Sequence, residues 1–293
     1  ALSAIGNIRA AFVVMGMGKL VEMDVVNKAT YWRPMFVIGA VPAVLALVVR
    51  WKLKEPERWQ QVSHEGDIAR KLGSYRELFG DPLWRKHALL GLGLAFSGIV
   101  GLWGVGFFTF DLVGNVLRQR FVAEGLTDAE ITGEVNYWKG IASMMMNIGA
   151  AFGMYGFAML AQRTGRKPTF AVCFVAALVS TVSVFYFLEE FHQVFWMVPV
   201  MGFCILSLFA GYAIYFPELF PTHLRSTGTS FCYNVGRFVA AAGPALLGWL
   251  TGVVYADTSS PLRYAGLSMC GIFVLGLLVL PFAPETKGKP LPE

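Results

Sequence analysis

The chain has 293 residues, of which 56% are hydrophobic and 15% are charged, and its mean hydropathy is +0.56. This composition lies outside ordinary globular usage, so it argues against a soluble domain and predicts an integral membrane protein. The net charge of +5 does not indicate nucleic-acid binding, because the basic residues cluster in short loops between apolar segments.

Eight apolar segments follow one another along the chain. Each is close to the roughly 20 helical residues that cross a hydrocarbon core of about 30 Å. They are expected to be helices, since the backbone must satisfy its own hydrogen bonds in lipid and the alternation of a barrel strand is absent. The predicted spans cover residues 1–22, 34–50, 87–112, 138–162, 168–188, 194–217, 227–254 and 263–284.

The chain begins inside the first of these segments. Ala1-Leu2-Ser3 leads directly into apolar sequence, without an initiator methionine, a basic leader or a cleavage site. This start does not resemble a signal peptide. We therefore expect a segment whose upstream helices are missing.

The basic residues are distributed unequally between the two sides of the membrane. The loops after the second, fourth and sixth spans, with the tail, hold fifteen of the 24 lysines and arginines. By the positive-inside rule this side faces the cytoplasm. We expect a multi-pass protein of the cell (inner) membrane with a cytoplasmic C-terminus.

Cysteines and histidines give no sign of a catalytic or metal centre. All four cysteines lie within predicted spans and lack metal-ligand spacing, so neither a disulfide nor a zinc site is expected. The four histidines lie in loops or at helix ends. The chain is predicted not to be an enzyme and to need no metal or cofactor.

Four loop motifs carry a resemblance to a known family. They are KEPERW at residues 54–59, AMLAQRTGRK at 158–167, PELFPTHLRSTG at 217–228 and PETKG at 284–288. They resemble, in order, the PESPRW, GxLADRxGRR, PExFPTxxR and PETKG motifs of the major facilitator superfamily, in its sugar porter and organic ion branches. All four lie on the side assigned to the cytoplasm.

The resemblance implies an all-α integral membrane fold with two six-helix halves. Eight spans would then correspond to helices five to twelve. Residues 1–50 would be the last two helices of the N-terminal half, residues 51–85 the cytoplasmic linker, and residues 86–293 the C-terminal six-helix half with a short cytoplasmic tail.

The resemblance also implies a cytoplasmic gate. Carboxylates and guanidiniums at inner helix ends can pair when that side is closed and separate when it opens. The gate residues carried over are Glu218, Arg225, Arg163, Arg166 and Glu285. Gln162 replaces the motif's acidic residue, so the gate is expected to be weaker there. Topology signals and solvated helix caps are the alternative interpretation of these charges.

Arg237 is the leading candidate for substrate binding. It lies ten residues beyond the start of its span, roughly 15 Å deep, where a charge costs at least about 2.5 kcal/mol. The sequence around it, residues 236–244, resembles the eleventh helix of aromatic acid:proton symporters and organic anion transporters. There the arginine attracts an anionic substrate. The alternative is that Arg237 pairs with an acid on a missing helix.

Aromatic and amide side chains would complete the cavity. An aromatic or mixed apolar solute suits the aromatic residues, although such residues also pack against neighbouring helices or lipid. Within-span amides could line the cavity or bond across helices. The candidates are Trp103, Phe107, Phe108, Tyr212 and Tyr215, with Asn147 and Asn234 as amides.

These residues predict a proton-coupled transporter of a small organic, especially aromatic, acid anion. A sugar or polyol:proton symporter is the alternative, because of the PETKG tail. A substrate sensor of the same fold that does not transport is an alternative of another class. The expected partners are the small-molecule substrate, the proton and the lipid bilayer, with no nucleic acid, and the full-length protein is expected to be monomeric.

Overall fold

A computed structural model of the chain describes residues 2–22, 25–26, 30, 32–52 and 73–292. The KEPERW motif, at residues 54–59, lies outside the described residues, together with most of the predicted linker.

The described residues form nine helices and no strand, which confirms the predicted all-α fold. Six of the helices, from α4 to α9, are long and apolar enough to cross a membrane. The two before α3 have 21 residues each. The helices are α1 (Leu2–Glu22), α2 (Trp32–Lys52), α3 (Tyr75–Gly80), α4 (Pro82–Ala123), α5 (Asp128–Thr164), α6 (Arg166–Phe187), α7 (Phe191–Leu219), α8 (Arg225–Val254) and α9 (Pro261–Phe282).

Helices α4 and α5 extend well beyond the predicted spans. Asp81 caps α4, accepting hydrogen bonds from the backbone N–H groups of Leu83 at 2.7 Å and Trp84 at 3.3 Å. A capping box formed by Thr127 and Glu130 opens α5. The apolar runs predicted only those parts of α4 and α5 that are expected inside the membrane. The polar ends of both helices are helical without being hydrophobic, so hydropathy did not reveal them.

The middle of α4 is irregular. A π-helical turn at Gly101–Val105 is followed by a 3-10 turn at Gly106–Phe108. Such turns occur frequently at functional sites in helices. On the neighbouring helix, α8, a turn at residues 241–242 separates Arg225–Ala240 from Gly243–Trp249.

Helices α5 and α7 approach each other closely through three glycines. A Cβ atom added to Gly149 would lie 3.0 Å from the Pro199 Cα atom, and one added to Gly153 would lie 2.9 Å from that of Phe203. On the facing helix, a Cβ at Gly202 would lie 2.9 Å from the Met146 carbonyl carbon. Small residues at this spacing allow the two backbones to touch.

A methyl group at this seam is expected to destabilise the protein. Gly153→Ala should lower the free energy of unfolding by about 1–2 kcal/mol, because the backbone of α7 must move to admit it. Gly248→Ala is the matched control, since beyond the adjoining backbone of its own helix no described atom lies within 4 Å of a Cβ there. Denaturation of both variants in the same detergent measures the difference. Equal stability of the two would contradict the proposed close approach.

The motif loops lie together at one end of the helix bundle. This end, called the motif end below, comprises α3, the start of α4, the α5–α6 turn, the link between α7 and α8, and residues 283–292. At the opposite end the Arg263 guanidinium donates to the carbonyls of Tyr186 and Leu188, which close α6.

Candidate functional site

The strongest ion pair at the motif end joins α6 to α7. Arg166 Nη2 and Nε donate to the two carboxylate oxygens of Glu218 at 2.7 and 3.1 Å. Its Nη1 donates to the Ala161 carbonyl at 3.0 Å, which adds α5 to the junction. Both side chains are less than a fifth exposed. A bidentate ion pair of this kind is among the stronger and more directional polar contacts in proteins.

The C-terminal tail joins the same network. Thr286 Oγ1 donates to Glu218 at 2.6 Å, and the Tyr215 hydroxyl donates to the Pro284 carbonyl at 2.6 Å. Lys287 Nζ donates to the Arg163 carbonyl at 2.6 Å. The tail is therefore bonded to the ends of α5 and α7. Sequence reasoning missed Thr286, although it lies within the PETKG motif.

Glu285 caps the first turn of α6. Its carboxylate accepts hydrogen bonds from the backbone N–H groups of Arg166 and Lys167 at 2.9 Å, and from those of Thr286 at 3.0 Å and Lys287 at 2.9 Å. Partial burial opposes the charge, but the four N–H groups together hold the pKa of the Glu285 carboxyl below its usual value. The first turn of a helix has free N–H groups and a positive dipole end, which favour a carboxylate.

This contact differs from the expected one. We predicted that Glu285 would pair with a guanidinium, whereas in the described residues it pairs with main-chain N–H groups. The turn that precedes α6 makes room for it. Gly165 has a φ of +105°, and a Cβ there would lie 2.9 Å from Glu285 Oε2. This position therefore requires glycine on both backbone and steric grounds.

The other two predicted gate arginines take different positions. The Arg163 side chain is exposed and has no ion-pair partner among the residues that the structure describes. Arg225 Nε donates to the Pro217 carbonyl at 3.0 Å and so binds the last turn of α7. The structure thus brings Arg166, Glu218 and Glu285 together and gives Arg225 a contact with the main chain.

A cleft of about 250 Å³ opens beside this network. It lies between the start of α4, the end of α7 and the tail, and His87, Arg166, Glu218 and Glu285 contribute polar groups to its wall. His87 Nδ1 lies 3.0 Å from the Leu219 carbonyl oxygen. This hydrogen bond joins α4 to α7 at the motif end.

The predicted substrate residues on α8 are exposed. The Arg237 guanidinium carbon lies 5.3 Å from the ring centroid of Tyr233, and no carboxylate pairs with Arg237 within the described ranges. Asn234 Nδ2 donates to Ser230 Oγ at 2.9 Å. An exposed guanidinium over an aromatic face, without an acidic partner, can still accept an anion.

The aromatic candidates on α4 lie at its irregular turns. Trp103 and Phe107 stack with their ring centroids 4.6 Å apart and an angle of 16° between their planes. They are 41% and 44% exposed, which leaves ring surface open beside the stack. Phe108 is half-buried.

Trp103 and Arg237 project from the same side of two adjacent, parallel helices. Gly243 of α8 lies against Gly104 of α4, and Gly236 lies against Phe96. Trp103 comes one residue before the contact residue Gly104 on α4, and Arg237 comes one residue after the contact residue Gly236 on α8. Because successive helical residues turn by about 100° and the helices run parallel, these two residues face the same way. Seven residues separate Phe96 from Trp103, or about 10 Å along the axis. The Arg237 guanidinium lies over Tyr233, one turn nearer the motif end, so another rotamer is needed to bring it towards Trp103.

Two predicted substrate residues, Tyr212 and Tyr215, lie in the core instead. Each is 1% exposed, and the Tyr212 hydroxyl donates to the Leu94 carbonyl at 2.7 Å. Their rings pack against Phe170. With ring and hydroxyl both satisfied inside the bundle, they face no open cavity in this structure. The sequence pattern alone cannot separate a buried tyrosine from one that lines a cavity.

Asn147 bonds across helices, one of the two roles considered for it. It is 9% exposed, donates from Nδ2 to the Ser143 carbonyl at 2.8 Å, and accepts from Asn7 Nδ2 at 3.0 Å. Asn7 belongs to α1, so this amide pair links α1 to α5.

Together, the membrane-length helices and the bonded motif loops define a multi-pass helical membrane protein of the transporter type. The family model described as "Sugar (and other) transporter" matches residues 128–293, which is more than half of the chain. The chain belongs to this family, and its predicted place in the major facilitator superfamily is confirmed.

Three relatives are named for transport. A Haemophilus influenzae protein named for metabolite transport is 27% identical over 89% of this chain and 60% of its own length. A Cupriavidus pinatubonensis protein named for 4-methylmuconolactone transport is 28% identical over 89% of this chain and 55% of its own. A cis,cis-muconate transport protein of Acinetobacter baylyi is 25% identical over 82% of this chain and 55% of its own. The chain therefore spans little more than half the length of these relatives. Their names confirm the prediction that the chain is not an enzyme.

Proposed function

We propose that the full-length protein is a secondary transporter that carries a small organic anion, with a conjugated or aromatic skeleton, by proton-coupled alternating access. The observation that carries this proposal is the placement of Arg237, a cation without an acidic partner among the described residues, on the same side as the exposed Trp103–Phe107 stack. A guanidinium can bind a carboxylate with two hydrogen bonds while a flat hydrocarbon skeleton lies against an aromatic face.

The network at the motif end supports alternating access. Arg166, Glu218 and Thr286 join α6, α7 and the tail through side-chain bonds that can break and re-form without unfolding a helix. In the proposed mechanism these bonds close the cytoplasmic side and separate when it opens. Glu285 would stay with α6, because its partners are main-chain groups of that helix and of its own segment.

The names of two relatives support the substrate class. Muconate and methylmuconolactone are compounds whose unsaturated carbon skeletons are flatter than those of saturated acids. Such a solute fits an aromatic surface with a cation on the same side of the two helices. We extend this class to the present chain as a proposal.

Uptake by cells that express the full-length protein tests this proposal. Labelled cis,cis-muconate should be taken up in preference to adipate, which has the same charge and chain length but no double bonds. Arg237→Ala should raise the KM for muconate by tenfold or more, by about the 1.5–3 kcal/mol of a charged hydrogen bond. Arg120→Ala is the control, since Arg120 is exposed, and its described contacts, with Glu124 and the Phe191 ring, lie at the end opposite the motif end. Unchanged uptake by the Arg237 variant would exclude the assigned role, and equal uptake of adipate would exclude the aromatic surface.

A sugar or polyol:proton symporter is the second candidate. The family description and the tail segment that contains Glu285 favour it. Hexoses should then compete for uptake, while carboxylates should not. A sensor of the same fold would instead show a ligand-induced rise in Tm without any flux.

We propose further that the protein lies in the cell membrane as a monomer with the motif end in the cytoplasm. Residues 1–50 would belong to the N-terminal half and residues 86–293 to the C-terminal half, with residues 51–85 as the linker. A protonophore should abolish uptake if the proton is the coupling ion. A tag on the C-terminus should be accessible only after the membrane is opened.

A further inference from the structure

The short helix α3 lies against the link between α7 and α8. Gly73, two residues before α3, donates its backbone N–H to the His223 carbonyl at 3.1 Å. Phe79 meets Phe231 of α8 edge to face, with ring centroids 5.0 Å apart. Leu78 is completely buried. A backbone hydrogen bond and an apolar contact therefore join this six-residue helix to the α7–α8 link and to α8.

Gly73 has a conformation that fits it for this role. Its φ is +69°, and a Cβ there would lie 3.3 Å from Thr227 Oγ1 at the start of α8. A residue with a side chain would strain the turn that brings α3 to this position. Ser74 then caps α3 by accepting from the Glu77 N–H at 3.4 Å.

A titratable pair crosses the same contact. His223 Nε2 lies 3.6 Å from Glu77 Oε1, and the two side chains are 16% and 24% exposed. Histidine is the side chain whose charge most often changes between about pH 5 and 8. A protonated His223 forms an ion pair with Glu77, whereas a neutral ring gives only a weak polar contact.

Other charged groups surround this pair. Arg225, two residues along from His223, repels a protonated ring, and Glu218 is engaged with Arg166. Asp81 is engaged with the first turn of α4, and His87 with the Leu219 carbonyl. At the motif end of these elements, the remaining charged side chains are Arg76 on α3 and Arg85 and Lys86 on α4.

We propose that α3 and the α7–α8 link form a proton-sensitive clasp, in which protonation of His223 strengthens the docking of α3 through Glu77. This step rests on the proposed transport function for its purpose. Proton-coupled uptake acidifies the cytoplasm, so the clasp tightens at the motif end as transport proceeds. Acidification on that side therefore slows opening and limits uptake.

Hydrogen exchange of the protein in lipid nanodiscs tests the clasp without any substrate. We expect the amides of residues 73–80 to be protected about threefold more at about pH 6 than at about pH 8, after correction for intrinsic exchange. His223→Gln and Glu77→Gln should remove this difference. His192→Gln should keep it, because His192 is exposed and pairs with Glu190 at the opposite end. Wild-type protection that does not vary with pH, or a variation that persists in His223→Gln, would overturn the proposal.

Substrate counterflow with equal pH on both sides tests the consequence for transport. Counterflow by the wild type and by His192→Gln should slow at about pH 6, and counterflow by His223→Gln should slow less. A chain that shows pH-dependent protection but no flux with any solute would retain the clasp and refute the transport function. Equal slowing in the wild type and both variants would refute the regulatory role.

Discussion

Arg166→Ala is expected to lower the free energy of unfolding by about 3 kcal/mol. The substitution removes both bonds to Glu218 and leaves that carboxylate largely buried, with Thr286 as its one remaining described hydrogen-bond donor. Most of the loss comes from the desolvated carboxylate rather than from the ion pair itself. Chemical denaturation in detergent or nanodiscs measures the difference.

Arg163→Ala provides a matched control for this experiment. The two arginines lie three residues apart around the same turn, but only Arg166 is partly buried and paired. We expect the Arg163 variant to stay within about 0.5 kcal/mol of wild type. If both substitutions cost the same, the charges of this loop would act as topology signals and not as a structural junction.

Glu285→Ala is expected to cost about 2 kcal/mol, allowing for the partial exposure of the carboxylate. The substitution leaves the N–H groups of Arg166 and Lys167 without their described partner at the start of α6. Glu285→Gln should fall between wild type and alanine, because an amide oxygen can still accept but carries no charge for the helix dipole. The unfolding midpoint of the three proteins in denaturant measures the order.

The pH dependence of this effect follows from the lowered pKa of Glu285. A carboxyl whose pKa is lower in the folded than in the unfolded chain contributes stability that is fully present above the unfolded value. The contribution is lost as the pH falls through the folded value. The gap between wild type and Glu285→Gln should therefore be constant near neutral pH and narrow below about pH 4.5. A gap that widens in acid would contradict the capping role.

The fold was largely predictable because the bilayer imposes a simple rule on composition. The predicted spans 168–188 and 194–217 correspond to α6 and α7 within a few residues. The full lengths of α4 and α5 were not predictable from hydropathy, since their ends are held by caps and not by lipid.

The site was less predictable, because a side chain's role depends on what faces it. The motif identified Glu285 as important, but its partners are backbone groups of α6, which no residue-type pattern reveals. Tyr212 is a residue of a type that often lines cavities, yet its hydroxyl donates a hydrogen bond to a backbone carbonyl of α4. Arg237 was chosen by depth, and within the described residues it has no acidic partner.

The glycine seam between α5 and α7 restricts how the protein can move. Where two backbones touch, no intervening layer of side chains can adjust its rotamers to let one helix slide past the other. When α7 is displaced, α5 must therefore move with it as one rigid unit. The Asn7–Asn147 amide pair joins α5 to α1, so a shift of α7 is transmitted to α1 as well.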